Sequence, residues 1–267
     1  MSRIDDAFAR LKGSRRGGLI PFIMGGDPDL ETTELLLIEL ATRGADIIEI
    51  GFPFSDPVAD GKVIQRASER ALKKGVTLSN MLRCISHAKE RIDAPIVLFS
   101  YFNPILKFGM DRLAEEAKNA GVDAVLVTDL VPEEAEPWVW AFRKRGMDFI
   151  FLIAPTTSDE RLALIAQRAS GFIYAVSRTG VTGERDELPR DAEPLVKRMR
   201  AVSELPVAVG FGISTVDQVR RVWRFADAAV IGSAIVHQIE GRIQTADLAA
   251  RVGEFAGSFL KSTRADQ

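Results

Sequence analysis

Short apolar runs alternate along this chain with longer segments in which apolar and polar positions recur at helical spacing. The runs cover 19–24, 47–50, 96–100, 124–128, 149–153, 172–176, 207–209 and 228–231. Each is too short for a buried helix and lacks the polar alternation of a half-exposed strand, so each reads as a strand covered on both faces. Between them the spacing predicts helices over 30–43, from Gly61 onward, and over 78–91, 111–120, 133–145, 158–168, 193–200, 215–225, 233–239 and 245–260. Ser158 is placed to cap one of these, and Pro194 falls in the first turn of another, where proline is tolerated.

A further helix is predicted over 4–11, a lid or cap with Ile4, Ala7, Phe8 and Leu11 on one face. Eight strand-then-helix units predict a parallel sheet. At this length they fit a (β/α)8 TIM barrel with an extra N-terminal helix and extra short helices, as a single domain over 1–267. An open doubly wound sheet would place Gly-x-Gly-x-x-Gly after an early strand, and the sequence has none there. A weak repeat marks the turn into three strands: Gly44-Ala45-Asp46, Gly121-Val122-Asp123 and Ala226-Asp227-Ala228.

Composition narrows the function classes. With 267 residues and 46% hydrophobic content the chain can bury one large core. A formal charge of −2 with interspersed charges offers nothing that favours nucleic acid. Cys84 is the lone cysteine, so a disulfide framework is excluded. No apolar run approaches the ~20 residues that span a bilayer, and a cytoplasmic protein without membrane contact is expected. His87 and His237 lack a second ligand at metal spacing, so no metal is expected. Trp138, Trp140 and Trp223 fall on predicted outer helices and are expected to pack.

In such a barrel the reactive groups lie at the carboxyl ends of strands. The stretch Glu49–Gly61 places one acid inside an apolar strand and a second, Asp60, at the end of a loop containing Pro53 and Pro57. Glu49 shares a face with Ile47 and Gly51, and because both faces of the strand are covered, burial should raise its pKa toward the range useful for general acid work wherever it points. The alternative is a structural glutamate paired with a lysine or arginine. Asp60 has its own alternative, as N-cap of the helix that follows.

Glycine-rich segments follow the last three strands: Ser177 to Gly183, Gly210 to Gly212, and Gly232-Ser233. Their position suits a phosphate held by backbone N–H groups and a helix amino terminus, with dipoles rather than side-chain charge doing the binding. Phe22, Phe99, Tyr174 and Phe211 lie in or just after strands and either fill the barrel or face an aromatic ligand. The segment 177–190 is long for a strand-to-helix connection and suits a lid.

The run Pro53-Phe-Ser-Asp-Pro-Val-Ala-Asp-Gly61 after Glu49-Ile-Gly, with Ser177-Arg-Thr-Gly-Val-Thr-Gly183 and Gly210-Phe-Gly-Ile-Ser214 downstream, closely resembles the tryptophan synthase alpha subunit family from about Phe8 to the final helix. The resemblance implies a lyase that cleaves indole-3-glycerol phosphate to indole and glyceraldehyde 3-phosphate. It implies Glu49 and Asp60 as catalytic acids, and Thr182, Gly183, Phe211, Gly212, Gly232 and Ser233 around the substrate's phosphate end. Phe22, Phe99 and Tyr174 would surround indole and glycerol. It further implies a partner beta subunit that carries pyridoxal phosphate, in an alpha2beta2 heterotetramer, and no cofactor in this chain. Two departures stand out: Met24-Gly25 replaces the common Thr-Ala, and Lys62 replaces the usual proline. An ammonium at Lys62 would favour the carboxylate form of Asp60.

Two other readings compete. A barrel synthase acting on a related aromatic intermediate would need a lysine at a strand end, which no predicted strand carries. A regulatory barrel without chemistry would have no use for both acids.

Overall fold

The computed structural model describes residues 1–176, 191–210 and 212–261. Eight parallel strands close on themselves in chain order: β1 (Gly18–Met24), β2 (Ile48–Gly51), β3 (Ile96–Ser100), β4 (Ala124–Val127), β5 (Asp148–Ile153), β6 (Ile173–Val176), β7 (Val207–Gly210) and β8 (Ala228–Ile231). β8 pairs back onto β1 through Gly18 with Ala228 and Ile20 with Val230. Every apolar run of the sequence is therefore a barrel strand. Ile20, Ile47, Val97, Ala124, Ile150, Phe172, Ala208 and Val230 fill the interior. Ile48, Ile50, Leu98, Val125, Phe151 and Val209 pack outward under the helices, which is why alternation is missing from the sequence.

Helices α1 (Arg3–Gly13), α2 (Leu30–Thr42), α3 (Lys62–Lys73), α4 (Leu78–Lys89), α5 (Phe102–Phe108) and α6 (Met110–Asn119) belong to the first half. The second half adds α7 (Glu136–Arg143), α8 (Asp159–Arg168), α9 (Ala192–Arg200), α10 (Val216–Val222), α11 (Ser233–Glu240) and α12 (Leu248–Lys261). Ser158 caps α8, as expected. Helix α1 starts from a capping box between Ser2 and Asp5. It plugs the amino-terminal end of the barrel, with Phe8 5.7 Å from Phe172 between ring centroids. It is thus a cap on the end away from the strand carboxyl termini.

The weak repeat has a structural cause. Asp46, Asp123 and Asp227 each accept a hydrogen bond from the backbone N–H at the start of the preceding strand: Leu19 at 2.8 Å, Ile96 at 2.9 Å and Val207 at 2.8 Å. Ser170 does the same for Phe149 at 3.0 Å, ahead of β6. A strand-opening N–H at a barrel end needs such a partner, and all four even-numbered strands are entered through one.

Several expected boundaries moved. α5 was not anticipated, because Pro104 lies in its first turn and only Ile105 is buried. α7 begins three residues later than predicted, after turns that hydrogen-bond Glu134 to Val131 and Ala135 to Pro132. α10 and α12 are shorter than their apolar spacing suggested. Trp138 packs edge-on against Phe102 and Trp223 donates to the Gly18 carbonyl, but Trp140 is 59% exposed with the Lys144 ammonium over its ring.

Candidate active site

The carboxyl end of the barrel gathers the acids. Glu49 stands in β2 beside Phe22 of β1 and Val97 of β3, and its 1% exposed side chain shares the inward face with Ile47. Neither carboxylate oxygen of Glu49 has a hydrogen-bond partner among the described residues. Burial alone pushes its pKa from 4.5 up to about 8, so at neutral pH the group holds its proton. The structural alternative, an ion pair, is absent among the described residues.

The loop from Phe52 to Asp60 is fixed at several points. Phe52 N–H donates to the Phe99 carbonyl at 2.8 Å, and Phe54 exchanges hydrogen bonds with the Ser68 hydroxyl at 2.9 Å each way. Phe54 also packs on Tyr101 at 5.2 Å, and the Tyr101 hydroxyl accepts from Ala59 N–H at 3.0 Å. Asp60 is thereby delivered to the barrel mouth, 8% exposed. It does not cap α3: the N-cap is Gly61, with no side-chain cap bond.

Burial raises the Asp60 pKa to about 6, opposed by a hydrogen bond with Tyr101. Both acids are desolvated and differ in degree. One expectation is corrected here. Lys62 was expected to bias Asp60, but its side chain is exposed and the Tyr101 hydroxyl is what favours the carboxylate. With a pKa near 6, Asp60 is still mostly ionised at neutral pH.

Phe22, Glu49, Asp60, Phe99, Tyr174, Gly212, Gly232 and Ser233 line one cavity of about 60 Å³, together with Ile64. Phe22 and Phe99 meet edge to face at 5.5 Å. Tyr174 leans over β7, where a Cβ on Gly210 would sit 2.1 Å from its hydroxyl, so only glycine fits there. A Cβ on Gly25 would lie 2.4 Å from the Met81 sulfur, so a larger residue there would need the Met81 side chain to shift. Gly232 is the N-cap of α11 without a side-chain cap bond, which leaves the first-turn N–H groups open to an anion. Thr182, Gly183, Phe211 and the 177–190 segment lie outside the described residues. Sequence reasoning missed Tyr101 and Ile64. An aromatic residue just past a strand gave no sign that it would reach a loop 42 residues away.

A larger groove of about 780 Å³ lies at the opposite end, lined by α1 and the segments entering β7 and β8. Barrel chemistry is carried at strand carboxyl ends, and Glu49 and Asp60 both sit at the smaller cavity, which is the candidate site.

A closed parallel barrel with a cavity at its carboxyl mouth defines the architecture of a (β/α)8 barrel enzyme. The family model described as "Tryptophan synthase alpha chain" matches residues 8–263. The tryptophan synthase alpha chain of Citrifermentans bemidjiense is 49% identical over 99% of this chain and 100% of its own length. Among solved structures, tryptophan synthase subunit alpha from Legionella pneumophila superposes with a TM-score of 0.89 at 36% identity, covering 97% of each chain. A chain of Mycobacterium tuberculosis tryptophan synthase gives 0.87 at 36% identity, covering 96% of this chain and 97% of that one.

The chain belongs to the tryptophan synthase alpha chain family. It is a carbon–carbon lyase of tryptophan biosynthesis that cleaves indole-3-glycerol phosphate. Membership also implies a beta-subunit partner. No described helix is long and apolar enough to cross a membrane.

Proposed function

We propose that Glu49 is the general acid and base of this cleavage and that Asp60 is its electrostatic partner. What supports this reading is the Glu49 carboxyl itself, protonated at neutral pH, buried, and without a hydrogen-bond partner among the described residues. A proton carried at such a position is free to be given to a substrate. Glu49 donates it to indole C3, which turns the ring into a cationic leaving group. The resulting carboxylate then takes the proton of the glycerol hydroxyl as the carbon–carbon bond breaks. Indole and the aldehyde of glyceraldehyde 3-phosphate are released, and Glu49 ends protonated as it began. Asp60 accepts the indole N–H and stabilises the charge that develops on the ring.

Phe22, Phe99 and Tyr174 hold the ring and glycerol. Gly212, Gly232 and Ser233, with Thr182, Gly183 and Phe211, hold the phosphate end, whose binding energy positions the bond to be cleaved. For Asp60→Asn, which keeps an acceptor but loses the charge, kcat should fall about a hundredfold. Steady-state indole release measures this, and full activity would remove Asp60 from the chemistry.

The chain itself works without a cofactor, in the cytoplasm, and pyridoxal phosphate belongs to the beta subunit of an alpha2beta2 heterotetramer. The loop from Pro53 to Asp60 faces that partner, and Val58 on it is 69% exposed. Mixing the chain with a beta subunit should give a species of two copies of each by native mass measurement, with faster indole release than the chain alone. A complex with one copy of each would overturn this stoichiometry.

A further inference from the structure

Four charged side chains near the site form a network that the reaction does not use. Asp27, just after β1, is fully buried. Arg70 of α3 grips it in a fork, Nε to Oδ1 at 2.7 Å and Nη2 to Oδ2 at 2.8 Å. The remaining arm of Arg70 donates to Glu240 Oε1 at 2.8 Å. Arg66, one turn earlier on α3, grips the same Glu240 in a second fork at 2.7 and 2.6 Å.

What the network joins is informative. α3 begins two residues after Asp60, and α11 begins at Ser233 and ends at Glu240. The helix that continues from the ring-side acid is therefore fastened to the helix whose amino end forms the phosphate side, and Arg70 fastens it as well to the turn that follows β1. An ion pair of this depth is a poor source of net stability, because desolvation offsets the attraction. A forked guanidinium does fix direction, since it meets a carboxylate only in its own plane. Glu240 also sits at the carboxyl end of α11, where a negative charge is unfavourable. A locally unfavourable residue held by two guanidiniums points to a task beyond stability.

We propose that Asp27, Arg66, Arg70 and Glu240 are positioning residues that set the spacing between Asp60 and the amino end of α11. Ring and phosphate of one substrate are then held in register for Glu49. This rests on the site assignment made above. The test uses Glu240→Gln, which unfastens α11 while leaving the Asp27–Arg70 fork intact, and the pair Asp27→Asn with Arg70→Met, which leaves no charge buried alone.

Indole and glycerol 3-phosphate are titrated separately, and kcat and KM are measured for the intact substrate. Each fragment should bind as in the wild type, within about twofold, while kcat/KM for the joined substrate falls about tenfold or more, because only the spacing is lost. Unchanged kcat/KM would overturn the proposal, as would loss of fragment binding in step with loss of activity, which marks general damage. Ser233→Asp serves as a control. If it leaves glycerol 3-phosphate binding intact, the phosphate assignment fails and the proposal with it, a result distinct from failure of the network alone.

Discussion

Glu49→Gln should cut indole release by about a thousandfold or more, within the range of general acid–base catalysis. Substrate affinity should stay within about threefold, because the substitution keeps volume and polarity and removes only the transferable proton. Burial works in favour of catalysis here. In water a glutamate would be almost fully ionised at neutral pH and unable to protonate a carbon, whereas the Glu49 carboxyl, raised to about 8, stays loaded. Turnover measured with saturating substrate, alongside binding by competition, checks both halves. Activity within about tenfold of the wild type would take the proton transfer away from Glu49.

The same substitution should make the protein more stable, by an amount that depends on pH. Below about pH 4.5 the folded and unfolded chains both hold the proton, and the substitution is neutral. From there up to pH 8 the unfolded chain releases the proton and the folded one keeps it, so wild-type stability falls as pH rises. Above 8 the deficit is constant. At about 1.4 kcal/mol per pKa unit, Glu49→Gln should gain about 3 kcal/mol at pH 7 and about 5 kcal/mol above pH 8. Urea unfolding at pH 5, 7 and 9 tests this, and a difference independent of pH would refute it. A site that loses activity and gains stability in one substitution is one where the fold carries strain for the sake of chemistry.

The eight strands were legible because burial on both faces makes each an uninterrupted apolar run, and closure into a barrel followed from their number. The burial of Glu49 was legible too, since it stands inside a run covered on both faces, but which face turns inward was not. The role of Asp60 was not, because Asp60-Gly61 can cap a helix through either residue and only the backbone decides. Its raised pKa was equally hidden. It depends on how Tyr101 and the proline loop shut out water, which is a matter of contacts between elements and leaves no local mark. Helix α5 escaped because a proline and one buried residue give no amphipathic signal.

The hydrogen bonds accepted by Asp46, Asp123, Ser170 and Asp227 divide the barrel into four consecutive strand pairs, each latched across 20 to 27 residues of chain. Within a pair the connection is held closed at its base. All four latches tie strand beginnings, so they fasten the barrel at its amino-terminal end and leave the loops at the carboxyl end free of them, including the connection after β2 that carries Asp60 and the one after β7 that carries Gly212. Stability and chemistry are thus assigned to opposite ends of the barrel. A lengthened or redesigned loop at the carboxyl end can change what the barrel acts on while the four latched units keep their shape, which makes those loops the natural place for new specificity to arise.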